Sequence, residues 1–514
     1  MNFSKLIVKG RSAKRSARIL LLGMLLLAGC GGGGGGGSGT PTPTPSPAAT
    51  GLARVNHIVV MMQENHSFDN YLGALPYAPG SPYHPGPCSS GDHACVNGLS
   101  CTAGAPGTLN CTNSNPENDG APPVVAFHDP RFCVKPDLDH SWVGIHNEIN
   151  FGDPNNSLNG TNDGFVRQND LTEQIDKGES ASDDDTMGFY TQADLPYYYG
   201  LATTFAVDDS YYSSVPAQTV PNRLYEFAAT SFGHLVTSIN EIPLPPSGGF
   251  QPINGTIFDL LDKNNVTWGE YVDVSGVTEL GIPYGGLVHN PVPPHFQTLD
   301  DFMSQAASGN LPSVAFVDFS LQDSEHPPFD IRAGEALVAS VINAVRSGPN
   351  WKDSIVIWTY DEHGGYYDHV TPPSAISPDG IPPGKCADRS NPPTSETPGN
   401  GAQCSDSAQE EQMLCAEVLS GETCINSFDQ YGIRVPFVVI SPFSRPSYVS
   451  HTVGDHTSIL ALIEKRFTAN AHLTTRDVNA NDLEDLFDFT NAPSMNANVA
   501  PSVAPAPQPS DPGC

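Results

Sequence analysis

The stretch Val55-Asn56-His57-Ile58-Val59-Val60-Met61-Met62 is an apolar run of strand length, and it passes without a spacer into Gln63-Glu64-Asn65-His66-Ser67-Phe68-Asp69. A continuous apolar run closed by polar residues is the pattern of a strand buried on both faces of a parallel sheet. The design returns at residues 355–360, which end in Asp361-Glu362-His363-Gly364-Gly365. Residues 314–319 and 435–440 are further runs of this type, and all four are expected to be buried parallel strands. Between 319 and 355, Ala333, Leu337, Val341 and Val345 recur every four residues, as the buried face of a helix does, and Gly348-Pro349 ends that helix. A second helix is expected from His456 to Phe467. Strand, helix and strand in this order predict an α/β layered fold: a central, mostly parallel sheet flanked by helices, with its sites at the carboxyl ends of the strands.

Two of those strand ends carry chemistry. Glu64-Asn65 offers a carboxylate and an amide where the chain leaves the core, and Asp361-Glu362 offers two adjacent carboxylates before a Gly-rich turn. Adjacent carboxylates without a counter-ion repel and raise each other's proton affinity, so one divalent cation held by both pairs is the natural partner. Oxygen-only ligands favour Ca²⁺, Mg²⁺ or Mn²⁺, whereas Zn²⁺ would be expected to recruit a His. A third element is Ser213-Ser214-Val215-Pro216-Ala217-Gln218-Thr219-Val220-Pro221-Asn222-Arg223. Here Thr219 precedes a helix expected to open at Pro221 or Asn222, where unpaired N–H groups favour a phosphate. Thr219 is therefore the candidate nucleophile, and Arg223 reads as a salt-bridge partner at the helix start.

Composition limits the partners. The chain has 514 residues, with 56 acidic against 23 basic side chains and a net charge of −33. Six of the cations precede Cys30, so the remainder carries a net −39. Such a surface repels nucleic acid and anionic lipid at long range. The 38% apolar and 15% charged content excludes both a multi-span membrane protein and a charge-driven disordered chain.

The first 29 residues have a basic start and a short apolar stretch, the layout of an export signal. It ends Leu27-Ala28-Gly29-Cys30, resembling a bacterial lipobox, which makes Cys30 the expected lipidated N-terminus of an envelope protein held to the membrane by that anchor. Residues 30–53, Gly-rich and then Thr-Pro-rich, read as a tether. The expected catalytic domain covers 54–490, and 491–514 read as a disordered tail. Five cysteines lie from Cys88 to Cys133, four from Cys386 to Cys424, and Cys514 is alone. Export favours disulfides paired within each cluster, with one long-range partner. Zinc binding by the first cluster is the weaker alternative, since it has no C-x2-C spacing.

The segment from Asn56 through Glu64-Asn65-His66-Ser67-Phe68-Asp69-Asn70-Tyr71-Leu72-Gly73 resembles the opening signature of a phosphoesterase family. That family includes bacterial and plant non-specific phospholipases C and a class of acid phosphatases, and it usually carries Arg where this chain has His66. The resemblance continues through Met187-Gly188-Phe189-Tyr190, the Thr219 segment, Glu325-His326-Pro327-Pro328, the Asp361 segment, Ser450-His451-Thr452 and Asp455-His456-Thr457, in order over 54–470. It implies an alkaline-phosphatase-like fold with long disulfide-bearing loops and one catalytic metal on Glu64, Asn65, Asp361 and Glu362. It also implies attack by Thr219 on phosphorus through a phospho-threonine intermediate. The Asp-Glu pair and the Thr look closer to the phospholipase C branch, since the acid phosphatases tend to Asp-Asp and Ser.

Chemistry agrees with this scheme, because a Thr hydroxyl is a poor nucleophile unless its alkoxide is stabilised, and a bound cation does so without a separate base. His140 in Asp139-His140-Ser141-Trp142 and His326 beside two prolines are candidates to hold the phosphate or protonate the leaving oxygen. The expected activity is hydrolysis of a phospholipid or other phosphate ester. Acid phosphatase action on monoesters is the alternative, and a non-catalytic surface module is a third reading.

Overall fold

The computed structural model describes residues 50–105, 107–134, 137–176, 183–242, 249–273, 284–289, 294–392, 404–418 and 423–495. The expected signal segment, Cys30 and all but the last residues of the tether lie outside them, as does the tail beyond Met495.

One eight-stranded sheet organises the chain. Its strands are β1 (His57–Gln63), β2 (Ala206–Asp208), β3 (Trp268–Val272), β4 (Phe296–Thr298), β5 (Val314–Asp318), β6 (Ser354–Tyr360), β7 (Phe437–Ile440) and β8 (Tyr448–Ser450). Their spatial order is β4-β3-β5-β1-β6-β7-β2-β8. β1 pairs in parallel with β5 on one side and β6 on the other. Ile58, Met61, Val314, Ile355, Ile357 and Trp358 have no exposed surface, as strands covered on both faces require. Each such side chain contributes roughly 1.5–3 kcal/mol through burial, and this core offsets the cost of seating charged groups at the sheet edge.

The helices that matter for the site are α1 (Phe68–Leu72), α2 (Trp142–Ile149), α3 (Thr219–Ala228), α4 (Ile331–Ser347) and α5 (His456–Phe467). α4 stops at Gly348 as expected and buries Val341 and Val345 of the expected face, but Ala333 and Leu337 are only half-buried, and the core side runs instead through Val338 and Ile342. The expected α/β fold with a mostly parallel sheet, helices and disulfide-bearing loops is therefore the one observed.

Two local expectations are corrected. The run 435–440 does form a strand, but β7 lies antiparallel to both β6 and β2. An apolar run encodes burial on two faces and carries no information on direction, and a mixed sheet buries β7 as completely as a parallel one. Helix α3 opens at Thr219 itself with Gln218 as cap, two residues before Pro221. Pro221 falls inside the first turn, where its missing N–H leaves no helical bond unmade.

The segment expected to be a disordered tail starts ordered. The Ser494 N–H donates to the Pro442 carbonyl at 2.7 Å, and the Trp351 indole N–H donates to the Met495 carbonyl at 3.2 Å.

Disulfides join Cys88–Cys95, Cys101–Cys111, Cys386–Cys404 and Cys415–Cys424, each within its own cluster. Four such bridges suit an oxidising compartment.

Candidate active site

β5, β1 and β6 run side by side in one direction, so Asp318, Glu64 and Asp361 leave the sheet at the same edge. The ladder continues one step past it, with Asp361 N–H donating to the Gln63 carbonyl at 3.0 Å. Asn65 then takes a left-handed backbone (φ 68°), which turns the chain back across the strand ends. Gly364 (φ 63°) packs against that turn so closely that a Cβ there would stand 2.4 Å from the Asn65 carbonyl oxygen. Only glycine lets the two turns, 296 residues apart at their closest hydrogen bond, approach this far. Glu64, Asn65, Asp361 and Glu362 are thereby buried together, none more than 2% exposed.

Each carboxylate has one oxygen committed to the protein. Asp361 Oδ1 accepts from the N–H groups of Glu362 (2.8 Å) and Asn65 (3.3 Å). Glu362 Oε2 accepts from the Gly364 N–H at 2.7 Å and stands 3.4 Å from His363 Nδ1. Glu64 Oε1 accepts from Arg223 Nη2 at 3.4 Å and from the Tyr284 hydroxyl.

The remaining atoms, Glu64 Oε2, Asp361 Oδ2, Glu362 Oε1 and Asn65 Oδ1, are buried with no hydrogen-bond partner. One orphaned oxygen on each of these residues, brought together at one sheet edge, offers four hard oxygen donors, and the residues present fit a divalent cation completed by water. Burial, then the charges of Glu64 and Glu362, push the Asp361 carboxyl well above its ordinary range. Burial also works to raise Glu362, but His140 and His363 outweigh it and hold that carboxyl below its usual range.

Thr219 is 2% exposed at the first position of α3, and among the described residues no hydrogen bond engages its hydroxyl. Its flanks are fixed. Gln218 Oε1 accepts from the Thr237 N–H at 2.6 Å, and the Val220 N–H donates to Thr237 Oγ1 at 3.0 Å. The Asn222 amide ties back residues 215–217 through bonds to the carbonyls of Val215 and Ala217. One turn on, the Arg223 guanidinium reaches Glu64 at 3.4 Å.

His140 Nε2 lies 4.0 Å from Glu362 Oε1, while its Nδ1 bonds the Leu138 carbonyl at 2.8 Å. Burial opposes the charge of His140, but Glu362 and Asp137 raise its pKa to about 10. His326 stands beside it, with ring centroids 6.2 Å apart and Nε2 at 3.9 Å from Asp137 Oδ2. The structure thus gathers Glu64, Asn65, Asp361, Glu362, His140 and His326 at one sheet edge, and Thr219 lies one helical turn before Arg223, whose guanidinium reaches Glu64. His456 donates through its Nε2–H to the Asp361 carbonyl (2.7 Å), and burial lowers its pKa to about 3, which keeps the ring neutral. His66 is stacked 4.1 Å from Tyr71, with Nε2 at 3.1 Å from the Glu325 carbonyl.

Several residues here carry no sequence signal of a role. Tyr284 on Glu64 is one. Glu325 is another: its buried carboxylate accepts from Tyr71 (2.8 Å), Tyr360 (2.5 Å), Tyr198 and Gln63 (3.2 Å). Burial still pushes it up to about 7. This cage anchors the turn that presents His326. Glu148 is a third, 2.8 Å from His363 Nε2 beneath Glu362, and both are fully buried. Only the position of Glu325 within a shared motif could have drawn attention to any of them.

A family model described as the Phosphoesterase family matches residues 55–470. The chain is similar to phospholipase C B of Mycobacterium tuberculosis, with 30% identity over 480 residues, covering 86% of this chain and 79% of that protein. It is similar to non-specific phospholipase C6 of Arabidopsis thaliana, with 29% identity over 469 residues, covering 88% and 76%. Among solved structures, murine ectonucleotide pyrophosphatase/phosphodiesterase 5 aligns over 57% of this chain and 94% of its own, at 9% identity and a TM-score of 0.31.

Proposed function

Since this chain belongs to the phosphoesterase family and is a hydrolase acting on phosphate esters, we propose that its substrate is a phospholipid, cut on the glycerol side of the phosphate. The relatives named above support the phospholipase C reading over acid phosphatase action. We further propose that Cys30 carries a lipid anchor that keeps the enzyme at the membrane of the cell envelope. The observation that carries the site assignment is the set of four orphaned oxygens on Glu64, Asn65, Asp361 and Glu362.

In this reading those four residues hold one divalent cation, with Ca²⁺, Mg²⁺ or Mn²⁺ suited to the all-oxygen set. When bound, the ion supplies positive charge that stabilises an alkoxide and offsets charge on the phosphoryl oxygens. Thr219 Oγ1 attacks phosphorus as its proton passes to solvent, the bond to the glycerol oxygen breaks, and that oxygen takes up a proton as diacylglycerol leaves. Water then hydrolyses phospho-Thr219 and releases the phosphorylated head group. α3 turns its first N–H groups toward the phosphate. His140 donates to a non-bridging oxygen, and His326 beside it delivers the proton to the departing oxygen.

The test is diacylglycerol release from phosphatidylcholine vesicles by the wild type and Thr219→Ala, with an aryl phosphate assayed alongside. We expect the variant to lose on the order of 10³-fold or more in kcat with its circular dichroism unchanged. Unchanged hydrolysis by Thr219→Ala would remove Thr219 as nucleophile. Phosphate release from the aryl ester with no diacylglycerol from vesicles would establish the acid phosphatase alternative instead.

A further inference from the structure

We infer that Tyr284 and Arg223 are positioning residues that hold Glu64 to a single ligand oxygen and lock the nucleophile's helix to the metal site. The inference rests on the metal-dependent reading given above.

Glu64 sits at the end of β1 with two chemically equivalent oxygens. Oε1 is taken by the Tyr284 hydroxyl and by Arg223 Nη2, and Oε2 by nothing. A carboxylate with both oxygens open would chelate side-on or rotate. With one oxygen held by two donors, only the other is left open to a cation.

The two donors also brace each other. The Arg223 guanidinium lies 4.3 Å over the Tyr284 ring. The Tyr284 N–H donates to Asp318 Oδ2 at 3.2 Å, while Arg223 Nη1 donates to Asp318 Oδ1 at 3.3 Å. Arg223 Nη2 donates as well to the Met62 carbonyl at 3.0 Å, so one planar cation spans the ends of β1 and β5. Arg223 is 2% exposed and lies four residues after Thr219 on α3, one helical turn away. A displacement of Arg223 therefore moves Thr219 and Glu64 relative to each other. Lysine preserves the charge there and loses the fork that reaches three acceptors at once.

The test uses the full chain and titrates Mn²⁺, with free ion followed by electron paramagnetic resonance. Outer-shell partners of ligands tune metal affinity by roughly 10–100-fold, and Tyr284→Phe is expected to weaken Mn²⁺ by that factor. The metal-free variant should melt as the wild type does, and kcat should fall with little change in KM. Arg223→Lys is expected to lower both Mn²⁺ affinity and kcat, giving a second reading should the phenylalanine variant fold poorly. A merely structural role would lower the melting temperature and leave the Mn²⁺ affinity of the folded protein intact. Wild-type affinity in Tyr284→Phe overturns the inference alone. A wild type that binds no divalent cation overturns the metal-site reading and this inference with it.

Discussion

At the scale of single residues, the site concentrates unfavourable electrostatics. Asp361 is fully buried between Glu64 and Glu362, and burial together with those two charges raises its proton affinity. Without a cation this arrangement costs stability, and in the proposed metal-bound state it becomes the source of affinity, the trade between stability and activity expected at a catalytic centre. Asp361→Asn separates the two effects, because the amide keeps the shape and removes one of the repelling charges. In chelator, the variant is expected to be more stable than the wild type by about 1 kcal/mol. In millimolar Mn²⁺ the order should reverse, because only the wild type gains binding energy. Thermal melts under the two conditions decide it, and a variant less stable in both would show that repulsion is not what Asp361 contributes.

At the scale of elements, the turn after β6 folds back onto the start of α1 through a buried ionic cluster. Asp69 Oδ2 accepts from the His369 N–H at 2.9 Å and from its ring Nδ1 at 2.6 Å. Arg434 binds Asp368 through Nε at 2.9 Å and Asp69 through Nη2 at 3.2 Å. Two carboxylates facing one guanidinium leave a single negative charge, which protonated His369 neutralises. Burial works against that charge, but Asp69 outweighs it and raises the His369 pKa above its ordinary 6.5. A raised folded-state pKa means stability fully present below pH 6.5 and lost as the pH climbs through the folded value. A hydrogen bond to a charged group contributes roughly 1.5–3 kcal/mol. The stability difference between wild type and His369→Gln should shrink by up to about that amount between pH 5.5 and 9. Urea unfolding across that range measures it, and a pH-independent difference would count against a charged His369.

These elements also mark what the sequence made legible. β1 and β6 were readable because each is an apolar run ending abruptly in acids, and α4 because apolar residues recur at helical spacing up to the Gly348-Pro349 stop. Their shared direction placed Glu64 and Asp361 at one edge before any coordinates. The reversal of β7 was not readable, since Phe437-Val438-Val439-Ile440 is equally buried in either orientation. Nor was the Tyr284 contact to Glu64, across 220 residues, or the contact of Glu148 with His363 across 215. Such pairings are set by how layers stack, and the local pattern around Tyr284 or Glu148 carries no trace of it.

At the scale of the whole molecule, the proposed phospholipid substrate makes surface charge bear on which bilayer the enzyme can approach. Beyond Cys30 the chain carries 56 acids against 17 bases, and several of the few cations, Arg223, Arg434 and Arg476 among them, are buried in internal ion pairs. What faces solvent is therefore predominantly acidic. Approach to an anionic bilayer meets repulsion that extends about 30 Å at 10 mM salt and about 8 Å at 150 mM. A zwitterionic bilayer imposes no such barrier. Initial rates on phosphatidylcholine vesicles should exceed those on phosphatidylglycerol vesicles severalfold at 10 mM NaCl, and the ratio should fall toward one as salt rises to 150 mM. The salt dependence is the discriminating feature, because head-group selectivity at the site itself would persist after screening. Equal rates on the two lipids at low salt would mean that surface charge does not govern the encounter.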